Sequence, residues 1–269
     1  MPFQRVNGIQ IYYEEQGEGD PVLLIQGLGY PSGMWFLQIP DLSKHFRTIF
    51  FDNRGVGRSD KPDEEYSVAL MASDALELLR ALGIGKAHVV GISMGGYISQ
   101  EMCLQQPDRV DRLVLLATTC GGPEYLDLTK DLWNETAAFR ILPADEMIRK
   151  GMALAAAPGF AQKRPELIER GVRIRLENLQ PLYAFSRQAA AAYLFNSKDR
   201  VHLIRCPTLI IAGAKDRVMP LQLTKGLASR IPNARLKIYP DTGHLIFLEK
   251  AREINRAIIG FLQGEDEGG

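Results

Sequence analysis

The stretch from His88 to Ser99, reading His-Val-Val-Gly-Ile-Ser-Met-Gly-Gly-Tyr-Ile-Ser, limits the possible folds more than any other part of the chain. An apolar run with the character of a strand ends in Gly91-x-Ser93-x-Gly95, and a helical pattern starts at once. A strand that turns directly into a helix holds Ser93 in a backbone region that costs a residue with a Cβ about 1–3 kcal/mol. Glycines two positions either side let neighbouring segments pass close. The turn raises the serine Oγ above the sheet at a helix N-terminus. Alone, the motif also fits a glycine-rich connection with an incidental serine; the strand before it and the helix after it favour a nucleophile.

The rest of the chain supplies a sheet for that turn. Apolar runs bounded by turn residues predict strands at Phe3–Val6, Ile9–Glu15, Val22–Ile25, Thr48–Phe51, Ala87–Ile92, Arg112–Ala117, Thr208–Ala212 and Leu236–Tyr239. Asn7-Gly8 makes the first two a hairpin. From Val22 onward strands alternate with helical patterns such as Val68–Leu82 and Pro220–Arg230, which predicts a mainly parallel sheet covered on both faces. The expected fold class is α/β, a three-layer sandwich around a mostly parallel eight-stranded sheet.

Between Thr119 and Leu203 the alternation stops. Residues 120–202 read as an inserted helical cap, with 1–119 and 203–269 forming the core domain. Pro143, Pro158, Pro165 and Pro181 punctuate four amphipathic stretches there, and its large apolar residues include Trp133, Phe139, Met147, Met152, Phe160, Tyr183, Phe185, Tyr193 and Phe195. Most of these are expected to pack the insertion onto itself and the sheet. The polar tail 264–269 is expected to fray.

Charge excludes several partner classes. Lys plus Arg and Asp plus Glu both number 32, and no block of like charge interrupts the mixture, so neither nucleic acid nor an anionic membrane is an expected partner. No apolar run approaches the roughly 18 residues that span a bilayer, and no secretory leader follows Met1. Cys103, Cys120 and Cys206 are odd in number and lack the spacing of a zinc site or a disulfide framework. A cytoplasmic protein acting on a small molecule, without a metal, is expected.

A serine hydroxyl needs a base at neutral pH, and the four histidines allow a search by elimination. His88 lies five residues before Ser93 on one strand, roughly 16 Å away at about 3.3 Å per residue, beyond hydrogen-bond reach. His45 and His202 each precede a strand, at the sheet edge opposite the turn. His244 follows the last strand at the correct edge, in Asp241-Thr-Gly-His-Leu. The orienting acid must also leave a C-terminal strand end, and Asp216, just past Thr208–Ala212, does so; Asp52 and Glu124 compete. The order Ser93, Asp216, His244 is the one used where a nucleophile sits on this kind of turn.

Four separated motifs together resemble the α/β-hydrolase family over nearly the whole chain: Gln26-Gly-Leu-Gly29, Asp52-Asn-Arg-Gly-Val-Gly-Arg-Ser59, the Gly91–Gly96 turn, and the Asp216 and Gly243-His244 loops. The resemblance implies an oxyanion hole made by the backbone N–H groups of Leu28 and Met94, and structural roles for Arg54 and Ser59. Gln26 departs from the His-Gly that often opens the oxyanion loop in this family; a glutamine offers both donor and acceptor to brace it. Ser93 excludes the branches whose nucleophile is aspartate. The function implied is hydrolysis of small to medium, largely apolar carboxylic esters through an acyl-enzyme, with no cofactor. Alternatives are a lactone hydrolase resembling 3-oxoadipate enol-lactonases, a cofactor-free haloperoxidase or perhydrolase, and a hydrolase-fold ligand receptor.

Overall fold

A computed structural model of the protein describes residues 2–265, so the last four residues of the polar tail lie outside the described residues. Eight strands form one sheet: β1 (Phe3–Val6), β2 (Ile9–Gln16), β3 (Pro21–Ile25), β4 (Arg47–Phe51), β5 (Ala87–Ile92), β6 (Val110–Leu116), β7 (Thr208–Gly213) and β8 (Ala234–Tyr239). Their order is β1-β2-β4-β3-β5-β6-β7-β8. The β1–β2 and β2–β4 pairs are antiparallel and every other pair is parallel.

The layering follows from the two-residue side-chain period of a strand. Leu23, Ile25, Val89, Leu113, Leu115 and Ile210 point into one apolar cluster. Their neighbours Val22, Leu24, Val90, Val114, Leu209 and Ile211 point into another on the opposite face. Strands buried on both faces must be apolar at every position, which is why β3, β5, β6 and β7 read as unbroken apolar runs. Helices α1 (Ile39–Leu42), α2 (Val68–Ala81) and α3 (Met94–Gln105) belong to the N-terminal half. The first face is covered by α2 and α3 through Met71, Leu78, Ile98 and Met102. Ser67 starts α2 by accepting the Leu70 N–H on its Oγ at 3.0 Å.

Between β6 and β7 lie α4 (Pro123–Ala137), α5 (Ala144–Ala155), α6 (Phe160–Lys163), α7 (Pro165–Glu177) and α8 (Leu182–Leu194). The four prolines bound five helices rather than four stretches, because Pro158 and Pro165 enclose the single turn of α6. Proline at N1 opens α4 and α7 without loss, since that N–H has no helical partner. Helices α9 (Leu221–Ala228), α10 (Ile246–Glu249) and α11 (Ala251–Leu262) complete the chain. The second face is covered by α1 and by α11, through Ile254, Ile258 and Phe261.

Strand ends differ from the sequence expectation by one or two residues. β6 stops at Leu116 because Ala117 leaves the extended region at φ 43°. β8 starts at Ala234, before its expected first residue, since an edge strand tolerates the charged Arg235 that interrupts the apolar pattern.

The turn between β5 and α3 sits where three segments meet. A Cβ on Gly95 would lie 2.2 Å from the Ile25 carbonyl oxygen, and one on Gly91 would lie 2.3 Å from the Gly95 carbonyl oxygen. Both obstacles are backbone, which cannot swing aside. We therefore expect Gly95→Ala to cost about 1–3 kcal/mol of stability or more, an overpacking penalty. Gly85→Ala, where no atom lies within 4 Å of the added Cβ, should be close to neutral. Thermal melts of the two variants side by side check this, and equal melting temperatures would refute it.

Candidate active site

Ser93 is the N-cap of α3 and holds φ 56°, ψ −123°. A non-glycine residue keeps such a conformation only when its surroundings impose it. Here they do: the Ser93 N–H donates to the Leu116 carbonyl at 3.0 Å, and its carbonyl accepts from Thr118 Oγ1 at 2.8 Å. Thr118 reaches this point because Ala117 also takes positive φ, at 43°. A second strained residue at the end of β6 thus supports the first.

His244 follows β8 and Asp216 follows β7. The Asp216 Oδ2 lies 2.9 Å from His244 Nδ1. Its other oxygen accepts the N–H groups of Val218 and Met219 at 2.8 and 2.7 Å, so the carboxylate plane is fixed before it meets the imidazole. Both side chains are almost fully buried. The competing acids are engaged elsewhere. Asp52 is buried and uses its two oxygens on the N–H groups of Ser32 (2.6 Å) and Arg58 (2.8 Å). Glu124 is exposed and pairs with Lys198 at 2.9 Å.

Of the other histidines, His88 is buried against Phe46 at the far end of β5, and burial lowers its pKa. His45 and His202 stand just before β4 and β7, at the opposite edge of the sheet. A shallow cleft of about 420 Å³ beside His45 holds neither Ser93 nor His244.

Ser93 and His244 line one cavity of about 570 Å³, within the range of ordinary small-molecule sites. Trp133, Phe139, Met147, Phe185 and Tyr193 of the inserted helices also line it. Five of the nine large apolar residues singled out above therefore line the cavity, and two of these, Trp133 and Met147, also pack against the core clusters. Met152 and Phe195 do pack, both buried in the core clusters. Among the described residues, Arg175 is the one Lys, Arg, Asp or Glu in the lining, and its guanidinium lies over the Tyr30 ring at 4.4 Å.

Leu28 and Met94 line the same cavity. In the Leu28 loop, the Gly27 N–H is held by Gln26 Oε1 at 3.3 Å and the Gly29 N–H by Gln188 Oε1 at 3.1 Å. The Leu28 and Met94 N–H groups have no acceptor among the described residues. Gln26 braces the loop only as an acceptor, since its buried Nε2 has no partner among the described residues. Arg54 is buried in a two-point contact with Asp74, at 2.5 and 2.9 Å, and reaches Glu64 at 2.7 Å. Ser59 donates to the Asp52 carbonyl at 2.5 Å and accepts the Tyr12 N–H at 2.9 Å.

Three contributors escape a reading of the sequence: Thr118, Gln188 and Glu249. Thr118 and Gln188 each bond to backbone far away in the chain, a relation no local pattern encodes. Glu249 left a faint signal, as a lone carboxylate closing the apolar run Leu245-Ile-Phe-Leu one helical turn after His244. Among the described residues no cluster of His, Cys, Asp and Glu could hold a metal ion, and no helix is long and apolar enough to cross a membrane.

Comparison with known proteins agrees with this architecture. A Caulobacter sp. (strain K31) protein provisionally assigned as carbamate hydrolase RutD is 31% identical over 270 residues, covering 95% of this chain and 96% of that protein. The solved structure of Est816, described as an N-acyl homoserine lactone degrading enzyme, superposes with a TM-score of 0.85 at 30% identity, covering 97% of this chain and 100% of that one. The enol-lactonase from Burkholderia xenovorans LB400 superposes with a TM-score of 0.87 at 24% identity, over 97% of this chain and all of its own, a likeness of fold. The family model of the alpha/beta hydrolase fold matches residues 20–251, and the chain belongs to that family.

Proposed function

We propose that the protein is a serine hydrolase that cleaves small to medium, largely apolar carboxylic esters through an acyl-enzyme. The observation that carries this reading is the 2.9 Å contact of His244 Nδ1 with a fixed Asp216, at the wall of the cavity that Ser93 also lines. An imidazole whose Nδ1–H is held by a carboxylate presents Nε2 as an acceptor, the tautomer a base needs.

In this mechanism Ser93 Oγ attacks the ester carbonyl carbon while His244 takes its proton. The N–H groups of Leu28 and Met94 receive the developing oxyanion. The tetrahedral intermediate then expels the alcohol, which leaves with the proton from His244. A water repeats the sequence on the acyl-enzyme, releasing the acid and restoring Ser93. Each N–H donor of this kind is worth about 100 to 1000-fold in turnover. Residues 120–202 act as the cap: they close an apolar cavity over the reacting atoms, excluding water and strengthening those hydrogen bonds.

Lactone hydrolysis is the second reading. It uses the same steps on a cyclic ester, and the 30% identical Est816 supports it. A single cation among the described lining residues favours neutral or singly charged substrates over dianions. Three free thiols, with Cys103 and Cys206 sulfurs 4.0 Å apart and unjoined, suit a reducing cytoplasm.

Ser93→Ala should abolish ester turnover in a folded protein, with the melting temperature close to wild type, since alanine keeps the Cβ and so the same backbone strain. An organophosphonate should label wild type once, and peptide mapping should place the adduct on Ser93; substantial activity in Ser93→Ala would sink the reading. Asp216→Asn should lower kcat by orders of magnitude, whereas Glu124→Gln should stay near wild type. The reverse pattern in a kinetic comparison would show the acid to be wrong. In a p-nitrophenyl ester series from acetate to palmitate, kcat/KM should rise with about 0.8 kcal/mol per buried methylene and then fall once the cavity is full. A maximum at palmitate contradicts the closed pocket, and a lactone rate far above every ester selects the second reading.

A further inference from the structure

The loop that carries His244 is held by a carboxylate other than Asp216. Glu249, the last residue of α10, turns its carboxylate back toward the loop. The Gly243 N–H donates to both of its oxygens, at 3.1 and 3.0 Å, and the Ala157 N–H donates to one of them at 3.2 Å. The His244 N–H in turn donates to the Ala155 carbonyl at 2.8 Å. Ala155 ends α5, and 156–157 begin its connection to α6, so this contact is made by the segment between β6 and β7. A Cβ on Gly243 would stand 2.5 Å from the Ala157 nitrogen, so the two backbones are already in contact.

No cation pairs with Glu249 among the described residues. Burial holds its carboxyl above the ordinary carboxylate range; the two backbone N–H donors oppose that shift and the nearby Asp216 adds to it. A partly buried carboxylate placed near a second one carries a desolvation cost that packing alone does not require. Its two oxygens hold the backbone on both sides of one junction, directly before the histidine.

We propose that Glu249 is a positioning residue, which fixes the His244 loop against the inserted helices by accepting the Gly243 and Ala157 N–H groups together. This rests on the reading of His244 as the base. Catalysis tolerates little error in the base's place: a shift of about 1 Å can cost about 100-fold in rate. Glu249 is not among the residues that line the cavity, so the loss should fall on kcat rather than KM.

Three variants of the full chain, assayed on p-nitrophenyl butyrate with melting temperatures recorded, test the proposal. Glu249→Gln keeps one oxygen able to accept both N–H groups, with an NH2 in place of the second acceptor of Gly243, and should lose less kcat than Glu249→Asp. Glu249→Asp keeps the charge but is one methylene too short to span Gly243 and Ala157, and should lose about tenfold or more in kcat with KM nearly unchanged. Glu249→Ala should lose about 10 to 100-fold. If Ala fails to fold, the Gln and Asp pair still decides. Full activity in Asp with loss in Gln would assign the effect to charge and overturn the proposal, as would wild-type kcat in both Asp and Ala. A wild type that hydrolyses no ester, or an active Ser93→Ala, would instead remove the serine-hydrolase reading and leave the Glu249 comparison without a base to position.

Discussion

Everything at the site depends on one strained residue being held in place. Ser93 at φ 56° cannot be stabilised by its own preferences, so neighbouring segments must impose the conformation. Gly95 lets the Ile25 and Gln26 carbonyls press against the start of α3, and Thr118 ties the Ser93 carbonyl from the end of β6. Three adjacent strands, β3, β5 and β6, thus converge on one peptide. Their central position in the sheet, buried on both faces, gives the rigidity that such strain requires.

The same sheet edge supplies the other groups because parallel strands all end there. The loops after β3, β5, β7 and β8 carry Leu28, Ser93, Asp216 and His244, residues spread over most of the sequence. Topology brings them to one edge; local hydrogen bonds then aim them. Asp216 is aimed by two backbone donors before it meets His244, and the Leu28 loop is aimed by two glutamines. The pattern is consistent: each proposed chemical group is oriented by a contact that uses a different atom from the one the chemistry needs.

The parts legible in the sequence are those with a short-range signature. Strands buried on both faces announce themselves as unbroken apolar runs, and the Ser93 turn by its flanking glycines. Proline positions mark where the inserted helices begin. Features that depend on long-range contact left no such trace. Ala117 at positive φ is an ordinary alanine in sequence, and it takes that conformation because its N–H is claimed by Ile211 while Thr118 must reach Ser93. The facing of Trp133 and Phe185 toward the cavity is set by where α4 and α8 lie, which amphipathic pattern alone does not specify.

Gln188 has a further meaning for the inserted helices. From α8 it accepts the Gly29 N–H on one atom and donates to the Arg54 carbonyl at 2.7 Å from another, while Gln180 donates to both Gln188 and the Gly55 carbonyl. The order of the Leu28 loop therefore resides partly in a segment nearly 160 positions away. Helices that enter and leave the sheet at only two points are nonetheless not a self-contained module here. A graft of foreign helices that changed the pocket but omitted this amide would unsettle the Leu28 loop beside it, so on the proposed reading altered selectivity would arrive together with a weaker oxyanion hole.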